Sequence, residues 1–182
     1  MPSLRGSAPV AIIRDLIAHS HTDTFRIVDY CVLGSHVHLL VEADSSDDLS
    51  SAMRTFGARL ARRLNRQLGR TGQLLAERYH ARRLKTPREV RNVLRYILLN
   101  ARHHAAERGQ RLARGWVDPA SSAIWFDGWR DPEHLDRAAY WIAQLLRVPR
   151  PTSPPRSWLC TTGWRKHGLL SIDDCPGRAR AP

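Results

Sequence analysis

The stretch FRIVDYCVLGSHVHLLVEA, residues 25–43, decides the fold because its pattern is that of two strands joined by a tight turn. Residues 25–33 are rich in β-branched and aromatic side chains, which is typical of a strand. Gly34 and Ser35 supply the turn, and residues 36–43 continue as a second apolar run. The sequence therefore predicts an antiparallel β-hairpin.

Two histidines stand one residue apart at the start of the second strand. Side chains at alternate positions of a strand point to the same face, so His36 and His38 project together, with Glu42 further along that face. The opposite, core-facing set is Val37, Leu39 and Val41. Two neutral imidazoles side by side are suited to a divalent cation. Two alternatives stay open: a polar face without a role, and a structural zinc site with Cys31 as third ligand.

Helical patterns flank the hairpin on both sides. Residues 9–20 have the one-sided apolar pattern of a short helix. After the hairpin, Ser45 or Ser46 is expected to cap a long helix that ends at Gly69. Its apolar stripe is Leu49, Met53, Phe56, Leu60, Leu64 and Leu68. A second face carries Arg59, Arg62, Arg63, Arg66 and Arg70.

A further long helix is predicted from Thr86 to about Arg108. Thr86 can cap it, Pro87 suits the first helical position, and Glu89 can complete a capping box. Residues 73–85, which connect the two long helices, suggest a turn followed by a short strand.

Tyr96 and Asn100 lie four residues apart on this helix and therefore share a face beside its apolar stripe. A tyrosine oxygen can attack a phosphodiester as a covalent nucleophile, and a nearby metal ion would assist by polarising the phosphate. The alternative is that Tyr96 is a boundary aromatic residue that only packs its ring.

The charge of the chain points to a polyanionic partner. Its 182 residues include 29 Lys and Arg against 17 Asp and Glu, a net charge of +12. Residues 54–114 hold seventeen basic residues and three glutamates, a net of +14. This clustering favours nucleic acid binding, although arginine-favouring codon usage is an alternative source of the excess.

Composition also limits the location of the protein. No run of apolar residues is long enough to span a membrane, and the beginning of the sequence does not have the pattern of a secretory signal. Three cysteines leave an odd thiol and suggest a reducing compartment. We expect a cytoplasmic protein without a membrane partner.

The order of these motifs resembles the single-tyrosine HUH transposases, and most closely the REP-associated tyrosine transposases. The resembling segments are YCVLGSHVHLLVE, RRLNRQLGRTG, AERYHARRL and RYILLN, which together span roughly residues 10–108. The resemblance implies a ferredoxin-like α+β sandwich that is often dimeric. In that fold a strand precedes the first helix, and we expect this strand to be missing here, which would leave backbone groups beside the histidine strand unpaired.

The resemblance also implies a site and a reaction. His36 and His38 would bind Mg²⁺ or Mn²⁺, Tyr96 would be the nucleophile, and Asn100 would lie near the metal. The tyrosine would attack a phosphate of single-stranded or hairpin DNA and form a 5′-phosphotyrosine intermediate that is resolved by rejoining. Independently of the resemblance, the arginine face of the first long helix suggests contacts to the DNA backbone. Tyr79, next to His80, is the rival nucleophile.

We therefore expect three regions: a transposase-like HUH domain over residues 1–115, an aromatic and helical extension over 116–148 with a short helix within 135–146, and a Pro-rich linker with a basic tail over 149–182. The expected activity is metal-dependent cleavage and rejoining of single-stranded DNA, with a homodimer as the expected assembly. The alternative is a catalytically silent, truncated relative that binds nucleic acid. A zinc-stabilised interaction domain is a third class.

Overall fold

A computed structural model describes residues 3–76 and 78–175 of the chain. The main elements are α1 (Ser7–Ala18), β1 (Phe25–Val32), β2 (Val37–Ala43), α2 (Ser46–Gln67) and α3 (Pro87–Glu107). Shorter elements follow: 3₁₀ turns at Ala123–Trp125 and Pro132–His134, α4 (Tyr140–Leu145), α5 (Trp158–Thr161) and a 3₁₀ turn at Gly163–His167. The expected α+β class is confirmed, and the arrangement is compatible with part of a ferredoxin-like fold.

The predicted hairpin forms as an antiparallel pair. Cys31 stands opposite His38, and Tyr30 stands opposite Leu39. The register shifts by one residue between Ile27 and Asp29, which is the irregularity of a β-bulge. Within the described residues these two strands form the whole sheet. All side chains of β1 are buried, including Arg26 and Asp29, so the strand has a central position.

Helices cover both faces of this hairpin. On one face α1 and α2 pack over side chains of both strands, with Ile13, Ile17, Phe56, Leu60 and Leu64 buried among Ile27, Tyr30 and Val32. The other face is covered by α3 and by the region after it, with Leu94, Leu98, Ile124, Trp164 and Leu170 packed against Val28, Cys31 and Leu40. The hairpin thus forms the middle layer, and the predicted apolar face of β2 points towards α2.

The second edge of β1 is paired by residues that come much later in the chain. Ser122 donates its backbone N–H to the Tyr30 carbonyl at 3.0 Å, and Val32 donates to the Ala120 carbonyl at 2.8 Å. Further along, Ser153 donates to the Ile27 carbonyl at 3.0 Å. Short segments around residues 120–122 and 150–153 therefore pair the second edge of β1. The unpaired groups were expected beside the histidine strand β2, and within the described residues no strand pairs with the outer edge of β2.

The predicted helix starts are confirmed by their caps. The Ser45 hydroxyl accepts a hydrogen bond from the Asp48 N–H, and Asp48 lies in the acidic first turn of α2. Thr86 accepts from the Glu89 N–H while the Glu89 carboxylate accepts from the Thr86 N–H, which completes the capping box. These bonds satisfy backbone donors that a helix start leaves free, so the position of α3 is fixed at its first turn.

Two local predictions are wrong. No strand forms in residues 73–76 or 78–85, which run as irregular, largely exposed chain because they lack a partner strand. Arg70 does not belong to the arginine face of the helix, since α2 ends at Gln67 and the Arg70 guanidinium binds the Gln73 carbonyl instead. The short helix expected within residues 135–146 forms as α4.

The extension after α3 shares the core of the hairpin. Trp164 and Ile142 are buried in the same cluster as Leu94. The Pro-rich segment expected as a linker lies against β1, where Pro151 and Thr152 are buried. The last part of the expected basic tail, residues 176–182, lies outside the described residues. Within the ranges described above, no helix combines the length and apolar character that crossing a bilayer requires.

Candidate active site between strand β2 and helix α3

Three predicted side chains meet between β2 and α3. His36 Nε2 and His38 Nε2 are 3.2 Å apart, and the Tyr96 phenol oxygen lies 3.3 Å from His38 Nε2. The imidazole rings of the two histidines meet edge to face at 4.7 Å between centroids, and the Tyr96 ring lies 5.1 Å from that of His38. The alternation of β2 sets the first pair, and the packing of α3 on the hairpin adds the phenol.

His38 is neutral in this environment. Burial, together with the neighbouring His36 and His104, lowers the pKa of His38 to about 4. An uncharged ring keeps a nitrogen lone pair at neutral pH, and this is the form that binds a metal ion. The three aromatic side chains therefore form a polar, partly buried cluster that does not depend on a charged histidine.

The spacing of the two Nε2 atoms fits a shared cation. Two ligand atoms about 2.1 Å from one ion, at an angle of about 90–110° to each other, lie about 3.0–3.4 Å apart, and the two nitrogens have this separation. In the described part of the chain, no group of three or more His, Cys, Asp or Glu side chains is arranged around a common metal position. A cation here would therefore take its remaining ligands from other donors, such as water or phosphate oxygens.

Cys31 does not join the two histidines as a ligand. It faces His38 across the hairpin, but its side chain is fully buried in the apolar core on the α3 side. Burial raises the pKa of the Cys31 thiol to about 12, and Asp118 contributes in the same direction. A protonated thiol in an apolar cluster is the ordinary state of a core cysteine.

Asn100 lies on α3 close in sequence to the cluster but points into the protein. Its side chain is completely buried, and within the described residues neither atom of its amide has a hydrogen-bonding partner. The preceding residue, Leu99, has φ −112° and ψ 15°, which marks a kink in α3. The proximity of Asn100 to a metal stays a prediction, since no described hydrogen bond joins it to His36, His38 or Tyr96.

The rival nucleophile has a different neighbour. The Tyr79 hydroxyl lies 3.1 Å from the Ser50 hydroxyl on α2, and Tyr79 is 40 % exposed. No described hydrogen bond links Tyr79 to either histidine of the cluster. The structure thus brings Tyr96, and not Tyr79, into contact with the histidine pair.

The arginines predicted for DNA binding line a groove between α1 and α2. Arg59, Arg62, Arg63 and Arg66 face Asp15, Leu16 and His19 across it. Arg63 forms an ion pair with Asp15, and this hydrogen bond holds the pKa of Asp15 below its usual value. Since α2 covers the face of the hairpin opposite to α3, the groove and the histidine cluster lie on opposite faces of the sheet.

Two long-range contacts of charged side chains were not expected from the sequence. Glu42, on the histidine face of β2, accepts hydrogen bonds from the backbone N–H groups of Arg156 and Ser157 at 2.7 and 2.9 Å. On β1, Asp29 is buried and accepts a 2.8 Å hydrogen bond from the Ser122 hydroxyl. Both contacts join residues about a hundred positions apart, and no local pattern predicts such pairs.

Comparison with known proteins bears on the same part of the chain. Residues 11–100 match the family model described as "Transposase IS200 like". This segment, just under half of the chain, is therefore similar to IS200-like transposases. The matched segment begins in α1, includes the whole hairpin and α2, and ends at Asn100 in α3, so it contains His36, His38 and Tyr96. No curated protein sequence and no solved structure gives a match to the chain.

Proposed function

We propose that this protein is a transposase that cleaves and rejoins single-stranded DNA through Tyr96. The observation that carries the proposal is the contact of the Tyr96 phenol with His38, at 3.3 Å, beside the paired His36. The family match supports DNA processing of the transposase type. The net positive charge of the chain supports a nucleic acid as the partner.

The reaction follows from the chemistry of a phenol next to a phosphate. Tyr96 Oη forms a bond to phosphorus, the bond from phosphorus to the 3′ oxygen breaks, and the DNA stays attached through its 5′ phosphate. The phenol proton is released to solvent, and the departing 3′ oxygen takes up a proton. Attack of a 3′ hydroxyl on the phosphotyrosine reverses these steps and regenerates the phenol, so rejoining needs no external energy source.

His36 and His38 are the residues that would hold Mg²⁺ or Mn²⁺. Such an ion, when bound, supplies polarisation of the phosphate oxygen and stabilisation of the charge that develops on it. The protein contributes two nitrogen donors, one from His36 just before β2 and one from His38 within it, and burial keeps the His38 donor uncharged. The Asn100 amide, which is buried and has no hydrogen-bonding partner among the described residues, would be a further donor to this site.

The arginine groove gives the proposed DNA a second contact area. Arg59, Arg62 and Arg66 are exposed there, and a planar guanidinium group suits phosphate oxygens. Since the groove lies on the opposite face from the histidine pair, it would bind a part of the DNA distant from the cleaved phosphate. A DNA hairpin with a single-stranded flank has two parts, a stem and a flank, that could contact the two faces of the protein.

The order of the sequence motifs also suggests the type of transposase and its assembly. This order resembles that of the REP-associated group, so we propose that the protein acts on palindromic hairpins and works as a homodimer. Binding to hairpins of different stem sequence, and light scattering of the purified protein, test these two statements separately.

The central test is covalent capture. The purified protein is incubated with Mn²⁺ and a 5′- or 3′-labelled hairpin oligonucleotide with single-stranded flanks, and adducts that survive denaturation are resolved by size. The wild type should form an adduct with the fragment 3′ to the cut, Tyr79→Phe should form it equally, and Tyr96→Phe should form none. An undiminished adduct in Tyr96→Phe would overturn the proposal. Binding without any adduct in the wild type would favour the silent nucleic-acid-binding alternative.

A further inference from the structure

A tryptophan lies exposed at the start of α5, away from the histidine cluster. Trp158 is 52 % exposed, although tryptophan is usually among the more buried residues. The Lys166 ammonium lies 4.9 Å from the centroid of its ring. An indole at the surface next to an exposed cation has the two features that bind single-stranded nucleic acid: a surface for base stacking and a charge for phosphate.

The position of this indole is set by the backbone beneath it. A Cβ atom added at Gly163 would come within 3.0 Å of ring atoms Cε3 and Cζ3 of Trp158, so the ring packs directly on the glycine. The Ser157 hydroxyl caps α5 by accepting a hydrogen bond from the Cys160 N–H. Trp158 is therefore held open to solvent in a defined position, which lowers the entropy cost of stacking a ligand on it.

The surface around Trp158 is positively charged. Residues 156–172 contain Arg156, Arg165 and Lys166 but no Asp or Glu. Arg165 pairs with Asp127 at 3.1 Å, whereas Arg156 and Lys166 form no ion pair with a carboxylate among residues 3–76 and 78–175. The Arg156 guanidinium donates a hydrogen bond to the backbone carbonyl of Asp23 at 3.0 Å, so Lys166 is the cation beside Trp158 that is available to a phosphate group.

A strand of the proposed active site anchors this surface. Glu42 of β2 accepts hydrogen bonds from the Ser157 hydroxyl at 2.6 Å and from the two backbone N–H groups that precede Trp158. Burial alone would raise the pKa of Glu42, but these hydrogen bonds lower it below its usual value, so the carboxylate is charged. Glu42 is four residues beyond His38 on the same face, which is about 13–14 Å along a strand.

We propose that Trp158 and Lys166 form a base-stacking site for the single strand that enters or leaves the Tyr96 site. This inference rests on the proposed action on single-stranded DNA. A base that stacks on the indole displaces the exposed Lys166 ammonium, which then binds the adjacent phosphate. The distance along β2 between His38 and Glu42 corresponds to a few nucleotides of single-stranded DNA. The stacking site would therefore bind the sequence that flanks the cleaved bond and not the reacting phosphate.

The test measures binding separately from cleavage. All binding variants carry Tyr96→Phe, which removes the proposed nucleophile, and the probe is a labelled oligothymidine compared with an abasic oligonucleotide of equal length and charge. Adding Trp158→Ala should weaken oligothymidine binding about tenfold and leave binding of the abasic probe unchanged. Trp158→Tyr should restore most of the affinity, and Lys166→Gln should weaken both probes. The matched control is Tyr140→Ala, which removes another exposed aromatic ring, 78 % exposed on α4.

Tryptophan fluorescence gives an independent readout. Oligothymidine should quench the emission of the parent protein, and Trp158→Phe should remove most of this quenching. Equal oligothymidine affinity with and without Trp158, or equal losses on both probes, would overturn the stacking site. Absence of a covalent adduct in the protein with Tyr96 intact would instead overturn the proposed cleavage, so the two failures are distinguishable.

Discussion

The Tyr96 phenol oxygen lies 3.3 Å from Nε2 of His38, the same nitrogen that faces Nε2 of His36 at 3.2 Å. In the tautomer that exposes the Nε2 lone pair, the phenol donates a hydrogen bond to His38. A cation shared by the two histidines needs this lone pair as well. The phenol and the cation therefore compete for one nitrogen, and a bound cation would release the phenol towards a phosphate.

This competition predicts that Tyr96→Phe binds Mn²⁺ more tightly than the wild type does. Loss of one hydrogen bond of about 0.5–1.5 kcal/mol corresponds to an increase in affinity of roughly two- to tenfold. Titration of Mn²⁺ followed by electron paramagnetic resonance measures it, with His38→Ala expected to abolish binding and Tyr79→Phe to leave it unchanged. Weaker Mn²⁺ binding by Tyr96→Phe would mean that the phenol is itself a ligand.

The exposed arginines of the groove should determine the salt dependence of DNA binding. For a single strand the slope of log affinity against log salt changes by about 0.7 for each phosphate contact. Replacing Arg59, Arg62 and Arg66 with Gln should therefore lower the slope by about 2 while the yield of the Tyr96 adduct at saturating DNA stays the same. Fluorescence anisotropy at several salt concentrations gives the slope.

The matched control for the groove removes three exposed arginines elsewhere, Arg111, Arg137 and Arg147. It lowers the net charge by the same amount but leaves the groove intact. A slope change equal to that of the groove variant would show that overall charge, and not the groove, sets the affinity.

The cap of α3 should contribute measurably to stability. Thr86→Ala removes the acceptor for the Glu89 N–H at the first turn of the helix that carries Tyr96. Loss of such a cap lowers the free energy of unfolding by about 1 kcal/mol. Urea unfolding followed by circular dichroism measures this, and Thr86→Ser, which keeps the hydroxyl, should stay within about 0.5 kcal/mol of the wild type. Equal losses in both variants would assign the effect to the threonine methyl group.

The sequence predicted the local structure around the site well. Alternation on β2 placed His36 and His38 together, and the capping box set the start of α3. These features depend on neighbours within a few residues, where strand alternation and helix capping are strong determinants. The contact of Tyr96 with His38 joins elements 58 positions apart, and it followed only from the resemblance to a family.

The pairing of the second edge of β1 could not be predicted. Residues 120–122 lie in a segment without a clear period, yet they supply hydrogen bonds to Tyr30 and Val32. The buried Asp29 and the anchor at Glu42 depend on the same late segments. Such contacts arise from tertiary packing over about a hundred residues, and neither periodicity nor turn chemistry encodes them.

Asp29 should make the stability of the fold depend on pH. Burial raises the pKa of Asp29 from its ordinary 3.8 to about 7, although the Ser122 hydroxyl and Arg150 act in the opposite direction. Below about pH 4 the carboxyl is protonated in folded and unfolded chains alike. Between about pH 4 and 7 only the folded chain keeps the proton, so stability falls as the pH rises, by up to about 1.4 kcal/mol per pH unit. Above pH 7 this loss is complete and constant.

Asp29→Asn keeps an acceptor for the Ser122 hydroxyl but cannot ionise. The free energy of unfolding of this variant should therefore fall less between pH 4 and 7 than that of the wild type. At pH 8 the variant should be the more stable of the two proteins. Urea unfolding at a series of pH values measures the free energy of unfolding of both proteins. The difference between the two values isolates the titration of Asp29 from that of the other groups. The matched control is Asp44→Asn, which removes an exposed carboxylate. Parallel stability curves for Asp29→Asn and the wild type would show that Asp29 is ionised inside the folded protein throughout this range.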